Sequence, residues 1–211
     1  MRNFKMHLKN FLKMTKTNNI LIKLALILFL FANPAKALDN SDLVIGEKDS
    51  KITIEIYSSL TCPYCAKLHL EVLPGLIKNF TKNGEAKIIL KDFPLDLSAL
   101  NAAKISRCVS KEKMLEFLDR IYLKQSEWTR GKNILEINEK IKKISSNFGI
   151  DDQKFDLCLA DEKNEELVLQ SRIEGSKKHS INSTPTIIIN NKKYTGNYTV
   201  EDISKYIEKI K

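Results

Sequence analysis

The stretch that most restricts the fold of this 211-residue chain runs from Lys51 to Leu76, where a strand-like segment feeds two closely spaced cysteines into a helix. Lys51-Ile52-Thr53-Ile54-Glu55-Ile56-Tyr57 alternates along its length and is rich in β-branched residues, the pattern of a strand. Ser58 to Thr61 form a loop, Cys62 stands where a helix begins, and Pro63 takes the first helical position, whose N–H has no intrahelical partner anyway. Leu68, Val72, Leu73 and Leu76 carry the helix onward, with Pro74 expected to kink it.

Cys62-Pro63-Tyr64-Cys65 at such a junction is a redox pattern more than a metal pattern. Two sulfurs one helical turn apart can close a small ring. The unpaired N–H groups and positive dipole end of a helix N-terminus stabilise a thiolate on the first cysteine. Cys62 is then expected to be the exposed attacking sulfur, and Cys65, turned inward, the resolving one. The alternative is half of a zinc site. Zinc needs four ligands, and Cys108 and Cys158 stand alone, with no second close pair.

Past a turn at Asn83-Gly84, Ala86 to Lys91 reads as a second strand, ended by Asp92-Phe93-Pro94. From about 96 to 180 helical spacing takes over. Leu115, Leu118 and Tyr122 share one face, and Ile134, Ile137, Ile141 and Ile144 form a stripe that reads as core packing. Gly149 ends that helix, Asp151-Asp152 can cap the next, which carries Phe155, Cys158 and Leu159, and a longer polar helix follows. Strand character returns at Thr186 to Ile189 and, past Asn190-Asn191, at Lys192 to Tyr194. An amphipathic helix with Ile203, Tyr206, Ile207 and Ile210 inward closes the chain. Residues 38–50 read as a polar lead-in with a turn at Gly46. The order is β-α-β, a helical block, then β-β-α.

The formal charge of +9 first points to nucleic acid or an anionic membrane, but its distribution removes that reading. Seven of the 35 basic residues and no acid lie in residues 1–37, leaving 28 basic against 26 acidic residues in the remainder. The N-terminus reads as an export signal: a lysine-rich stretch, the apolar run Leu24 to Ala32, and a small-x-small cleavage site at Ala35-Lys36-Ala37. The alternative is an uncleaved anchor, for which the apolar run is short of the roughly 20 residues a span takes. Export to an oxidising space changes how each cysteine is read.

Thr61-Cys62-Pro63-Tyr64-Cys65-Ala66-Lys67-Leu68-His69, Lys91-Asp92-Phe93-Pro94-Leu95 and Ser183-Thr184-Pro185-Thr186 resemble, in this order, the DsbA-type thiol–disulfide oxidoreductases. The resemblance covers nearly all of residues 45–211. It implies an α/β, thioredoxin-like fold with an inserted helical domain, so that the chain after the signal peptide at 1–37 divides into thioredoxin-like parts 38–95 and 181–211 and the insertion 96–180. It implies an enzyme with Cys62 as nucleophile, Cys65 as resolving cysteine, a redox-active Cys62–Cys65 disulfide, and Pro185 as a cis-proline facing the pair, with Pro63, Tyr64 and Thr184 in support. A cis-proline there leaves the edge at residue 184 free for a substrate backbone, whereas an ordinary loop proline is the plainer alternative. Tyr64 stands where histidine is common, Ser183 where glycine is frequent, and Ile56 where an acid often lies beneath the resolving cysteine, with Glu55 one residue earlier on the opposite face. These departures bear on the redox potential, not on the class.

In an oxidising compartment, two leftover cysteines in one subdomain usually pair, so Cys108–Cys158 is expected as a structural disulfide; two buried free thiols are the alternative. His69 reads as a partly exposed helix-surface residue, His179 and Trp128 as structural or surface residues. The resemblance implies donation of disulfides to exported, cysteine-containing proteins in the periplasm and reoxidation by a membrane quinone-linked partner of the DsbB type. No metal, organic cofactor or nucleic acid is expected. A reductase or isomerase, and a binding chaperone with structural cysteines, are the rival functions. About thirteen residues between Ala37 and the first strand leave no room for the dimerisation domain of the isomerases.

Overall fold

The structure is a computed structural model that describes residues 42–211; the expected signal segment, 1–37, lies outside the described residues. Five strands form one sheet: β1 (Leu43–Ile45), β2 (Ile52–Ser58), β3 (Ala86–Asp92), β4 (Thr186–Ile189) and β5 (Lys192–Lys193), in the order β1-β3-β2-β4-β5. β2 and β3 run parallel, with Ile56 opposite Leu90, and all other pairs are antiparallel. β1 was expected to be irregular. Three residues on a sheet edge are too few to show alternation, and their pairing with Leu90, Ile89 and Ile88 fixes them as strand.

Between β2 and β3 the chain is helical over residues 63–81 (α1). α-Helical turns at Pro63–Lys67 and Leu73–Leu76 alternate with wider π-turns at Leu68–Val72 and Ile77–Thr81. Pro74 has no N–H to donate and its ring crowds the carbonyl four residues back; the π-turn just before it absorbs this inside a continuing helix. Six helices follow β3: α2 (Leu97–Cys108), α3 (Lys111–Leu123), α4 (Gln125–Trp128), α5 (Ile134–Ser145), α6 (Asp152–Ala160) and α7 (Glu162–His179). α8 (Val200–Ile210) closes the chain. Asp96, Asn133, Asp151, Asp161 and Thr199 each accept a backbone N–H at a helix start, so five helix entries are fixed by side-chain caps.

The alternation of β2 divides the sheet into two faces. Ile52, Ile54 and Ile56 pack in one cluster with Leu73 and Leu76 of α1 and Ile203 and Ile207 of α8. Tyr57 and Ile188 face the other side, with Phe93 and Ile181. α7 closes that side. A side chain at Gly175 would meet the Tyr57 ring at 2.7 Å, so the close approach of α7 to β2 requires glycine. The expected insertion boundary at 180 therefore falls at the end of a helix that also covers the sheet. The helical block has its own core, in which Ile105, Phe117, Ile121, Trp128, Ile141 and Phe155 are almost fully buried. Of the isoleucine stripe on α5 only Ile141 is fully buried, Ile137 and Ile144 packing at the margin. Ile210, expected inward, lies at the exposed end of α8.

Candidate active site

Cys62 is the N-cap of α1, with extended backbone (φ −80°, ψ 121°) and Pro63 in the first turn. Its carbonyl oxygen accepts the N–H groups of Cys65 and Ala66, both at 3.1 Å, and its own N–H donates to Ser59 O at 3.1 Å. The preceding loop is tied down on two sides. Thr61 Oγ1 donates to Asp96 Oδ2 at 2.7 Å, and Asp96 in turn caps α2 by accepting from Ala99 N at 2.8 Å. From the other side, Gln125 Nε2 donates to Leu60 O at 2.8 Å and to Cys62 O at 3.0 Å.

Cys62 and Cys65 are both free thiols. Cys62 was expected to be exposed. It keeps only 8% of its accessible surface, because the Thr184–Pro185 loop lies against it, and its Sγ donates to Thr184 O at 3.3 Å. Cys65 keeps none. The Thr184–Pro185 peptide is cis. Burial pushes the Cys65 thiol up to about 12, partly offset by the Thr184 hydroxyl and the Ser59 backbone. Tyr64, by contrast, is 74% exposed, so the two residues between the cysteines lie on the outer surface of the first helical turn.

Beside the pair lies a surface groove of about 350 Å³ lined by Tyr64, Lys67, Val72, Thr184, Pro185 and Tyr198. Tyr198 donates its hydroxyl to Pro185 O at 3.3 Å, which holds the proline loop from behind. On the inner side, Tyr122 is buried in the same apolar cluster as Cys65, and burial raises its phenol well above the ordinary range. Further in, Arg107 Nε donates to Asp92 Oδ2 at 2.7 Å and Arg107 Nη2 to Asp42 Oδ1 at 2.6 Å. Asp92 is itself raised by burial, against the pull of Arg107. The Lys91-Asp92-Phe93-Pro94 segment thus supplies a buried ion cluster and the Phe93 contact to Tyr57.

Glu55 does face away from Cys65. It points toward α7, with its Oε2 3.8 Å from His179 Nε2, while Ile56 fills the position on the α1 side. His69 corrects its reading as a surface residue: it is buried, its Nε2 is 2.7 Å from Asp119 Oδ1, and its ring lies 4.6 Å from that of Tyr122. The π-turn that carries His69 packs on the helical block, which helical spacing alone does not reveal. Cys108 and Cys158 lie far along the chain from the pair and are bonded to each other, with Cα atoms 6.4 Å apart. Gln125 and Tyr198 escaped the sequence reading. Gln125 belongs to a four-residue helix too short for any periodicity, and Tyr198 to a loop.

A family profile described as thioredoxin matches residues 39–209. A Rickettsia bellii chain named as a protein-disulfide oxidoreductase is 28% identical over 173 residues, covering 82% of this chain and 65% of the relative. The chain thus spans a little under two thirds of that relative's length. Among solved structures, Wolbachia pipientis α-DsbA1 is similar with a TM-score of 0.71 at 24% identity, over 80% of this chain and 90% of that one. Oxidised BdbD from Bacillus subtilis follows with a TM-score of 0.70 at 21% identity, over 80% and 91%. Both are likenesses of fold, helical insertion included.

Proposed function

The chain belongs to the thioredoxin family, and from that premise we propose that it is a thiol–disulfide oxidoreductase that donates a Cys62–Cys65 disulfide to other proteins. The observation that carries this reading is the placement of the two sulfurs. One sits at a helix N-terminus against the carbonyl of Thr184; the other lies fully buried one turn behind it. The names of the rickettsial relatives support it.

In the oxidised enzyme a substrate thiolate attacks Cys62 Sγ. The S–S bond to Cys65 breaks, a substrate–Cys62 bond forms, and Cys65 leaves as a thiolate that takes up a proton. The second substrate thiolate then attacks the substrate sulfur bonded to Cys62, forming the substrate disulfide and displacing Cys62 as a thiolate. Displacement leaves the enzyme as the dithiol, in which Cys62 Sγ donates to Thr184 O, a hydrogen bond the disulfide cannot make. Cys65, buried and holding its proton tightly, is a poor nucleophile near neutral pH, which slows return of the mixed disulfide to enzyme disulfide and free substrate thiol. Pro63, Tyr64, Thr184 and Pro185 shape the rim, and the adjoining groove accepts the substrate segment.

Substrates are exported, cysteine-containing proteins, and a membrane quinone-linked partner of the DsbB type returns the pair to the disulfide. The N-terminal segment ending at Ala35-Lys36-Ala37 directs the chain to the periplasm and is cleaved there. Among the described residues no helix is long and apolar enough to cross a membrane. The test is trapping. Cys65→Ala is expected to accumulate mixed disulfides with exported proteins on non-reducing gels, and Cys62→Ala to accumulate none. Adducts through Cys65 instead would reverse the roles.

A further inference from the structure

We infer that Gln125, on the short helix α4 of the helical block, is a positioning residue for Cys62 and sets how strongly oxidising the Cys62–Cys65 pair is. The inference rests on the functional reading above but has a readout independent of it. Gln125 is buried, and its amide spans the base of the active-site loop by donating to Leu60 O and Cys62 O at 2.8 and 3.0 Å. The Cys62 carbonyl is also the acceptor that opens α1, so a side chain 63 residues away shares the acceptor that starts the redox helix. The backbone of Gln125 is equally fixed: its main-chain carbonyl accepts from Thr129 N at 3.0 Å and Thr129 Oγ1 at 2.7 Å. Among the described residues, no other hydrogen bond joins α4 to the cysteine loop.

The two redox states depend on this tie unequally. In the disulfide, the covalent bond to Cys65 fixes Cys62 relative to α1. In the dithiol that restraint is gone, and the backbone of residues 60–62, whose last carbonyl opens α1, keeps Cys62 Sγ where it donates to Thr184 O. A dithiol deprived of the Gln125 tie lets the loop relax and weakens the hydrogen bond to Thr184 O, which only the reduced Cys62 can donate. The disulfide loses less. Because a reduced form stabilised relative to the disulfide makes a stronger oxidant, loss of the tie makes the pair less oxidising. A residue that only holds the fold together would weaken both states alike and leave their ratio unmoved.

The experiment is a glutathione redox titration of full-length mature protein, wild type against Gln125→Met, which keeps length and apolar bulk but has no donor. Denaturant unfolding of both redox states accompanies it. The control is Trp128→Phe, which removes another buried bond of the same helix, Trp128 Nε1 to Ile121 O at 2.9 Å, without touching the loop. Gln125→Met is expected to shift the equilibrium with glutathione about tenfold toward the enzyme disulfide, a reduction potential lower by about 30 mV, and to destabilise the dithiol more than the disulfide. Trp128→Phe is expected to lower stability in both states equally and leave the potential in place. If Gln125→Met does not fold, Gln125→His, whose ring can supply a single donor, is titrated instead and is expected to shift several-fold in the same direction. An unchanged potential in the Gln125 variant that folds, or an equal shift in Trp128→Phe, overturns the assignment. Failure of the wild-type protein to oxidise substrates would remove the functional reading while leaving this equilibrium measurable.

Discussion

The sulfur of Cys62 rests 3.3 Å from the carbonyl oxygen of Thr184, 122 residues further along the chain, while Cys65 one turn deeper is sealed from solvent. Two thiols of the same tetrapeptide therefore meet opposite surroundings: one a polar edge beside a groove, the other an apolar interior.

That asymmetry has a pH signature. Burial pushes the Cys65 thiol from the ordinary 9.0 up to about 12, so the folded chain holds this proton more tightly than the unfolded chain. The stability it contributes is complete below about pH 9 and is lost as pH rises through about 12. Cys62→Ala is expected to lose stability over that window relative to the Cys62→Ala/Cys65→Ala double variant, in denaturant unfolding run at stepped pH. Parallel curves for the two variants would show that Cys65 is not held as a buried thiol.

The parts of the fold that span several residues of one period were legible in the sequence. β2 alternates over its whole length, and Pro63 marks the start of α1, so the cysteine junction could be placed to the residue. What was not legible is made by tertiary contact. β1 exists because Leu90, Ile89 and Ile88 are there to pair with it. His69 is buried because a π-turn brings it against α3 and Asp119, and the low exposure of Cys62 comes from a loop over a hundred residues away. Gln125 carried no signal at all, since one glutamine in a four-residue helix looks like any surface residue until its two carbonyl partners are seen.

The Cys108–Cys158 bridge closes a loop of 50 residues between α2 and α6. On the chain-entropy account such a loop is worth about 4 kcal/mol, through the unfolded state. Replacing both cysteines by Ala is expected to lower the unfolding free energy by roughly that amount. Mild dithiothreitol is expected to reduce the Cys62–Cys65 bond first and leave this one intact, as alkylation and mass mapping will show. Loss of under about 1 kcal/mol would mean the bridge contributes little to stability.

Tyr64 is largely exposed on the first turn of α1, in the tetrapeptide that carries the Cys62 sulfur. A histidine there, even partly protonated, adds positive charge near a developing thiolate, whereas tyrosine at neutral pH adds none. Tyr64→His is expected to stabilise the dithiol and raise the reduction potential, about 30 mV for each tenfold change in the equilibrium constant. A potential that is unchanged or lower would show that charge at position 64 does not tune the pair.

The central claim is that the Cys62–Cys65 disulfide is transferred to other chains. Purified mature protein, oxidised and freed of oxidant, is mixed with an equimolar reduced peptide carrying two cysteines, and both partners are followed by mass after acid quench and alkylation. The expected result is loss of two hydrogens from the peptide matched one for one by appearance of the Cys62–Cys65 dithiol, with Cys108–Cys158 still bonded and with Cys62→Ala inert. A peptide that stays reduced beside an intact Cys62–Cys65 disulfide, or one oxidised equally well by Cys62→Ala, would contradict the account.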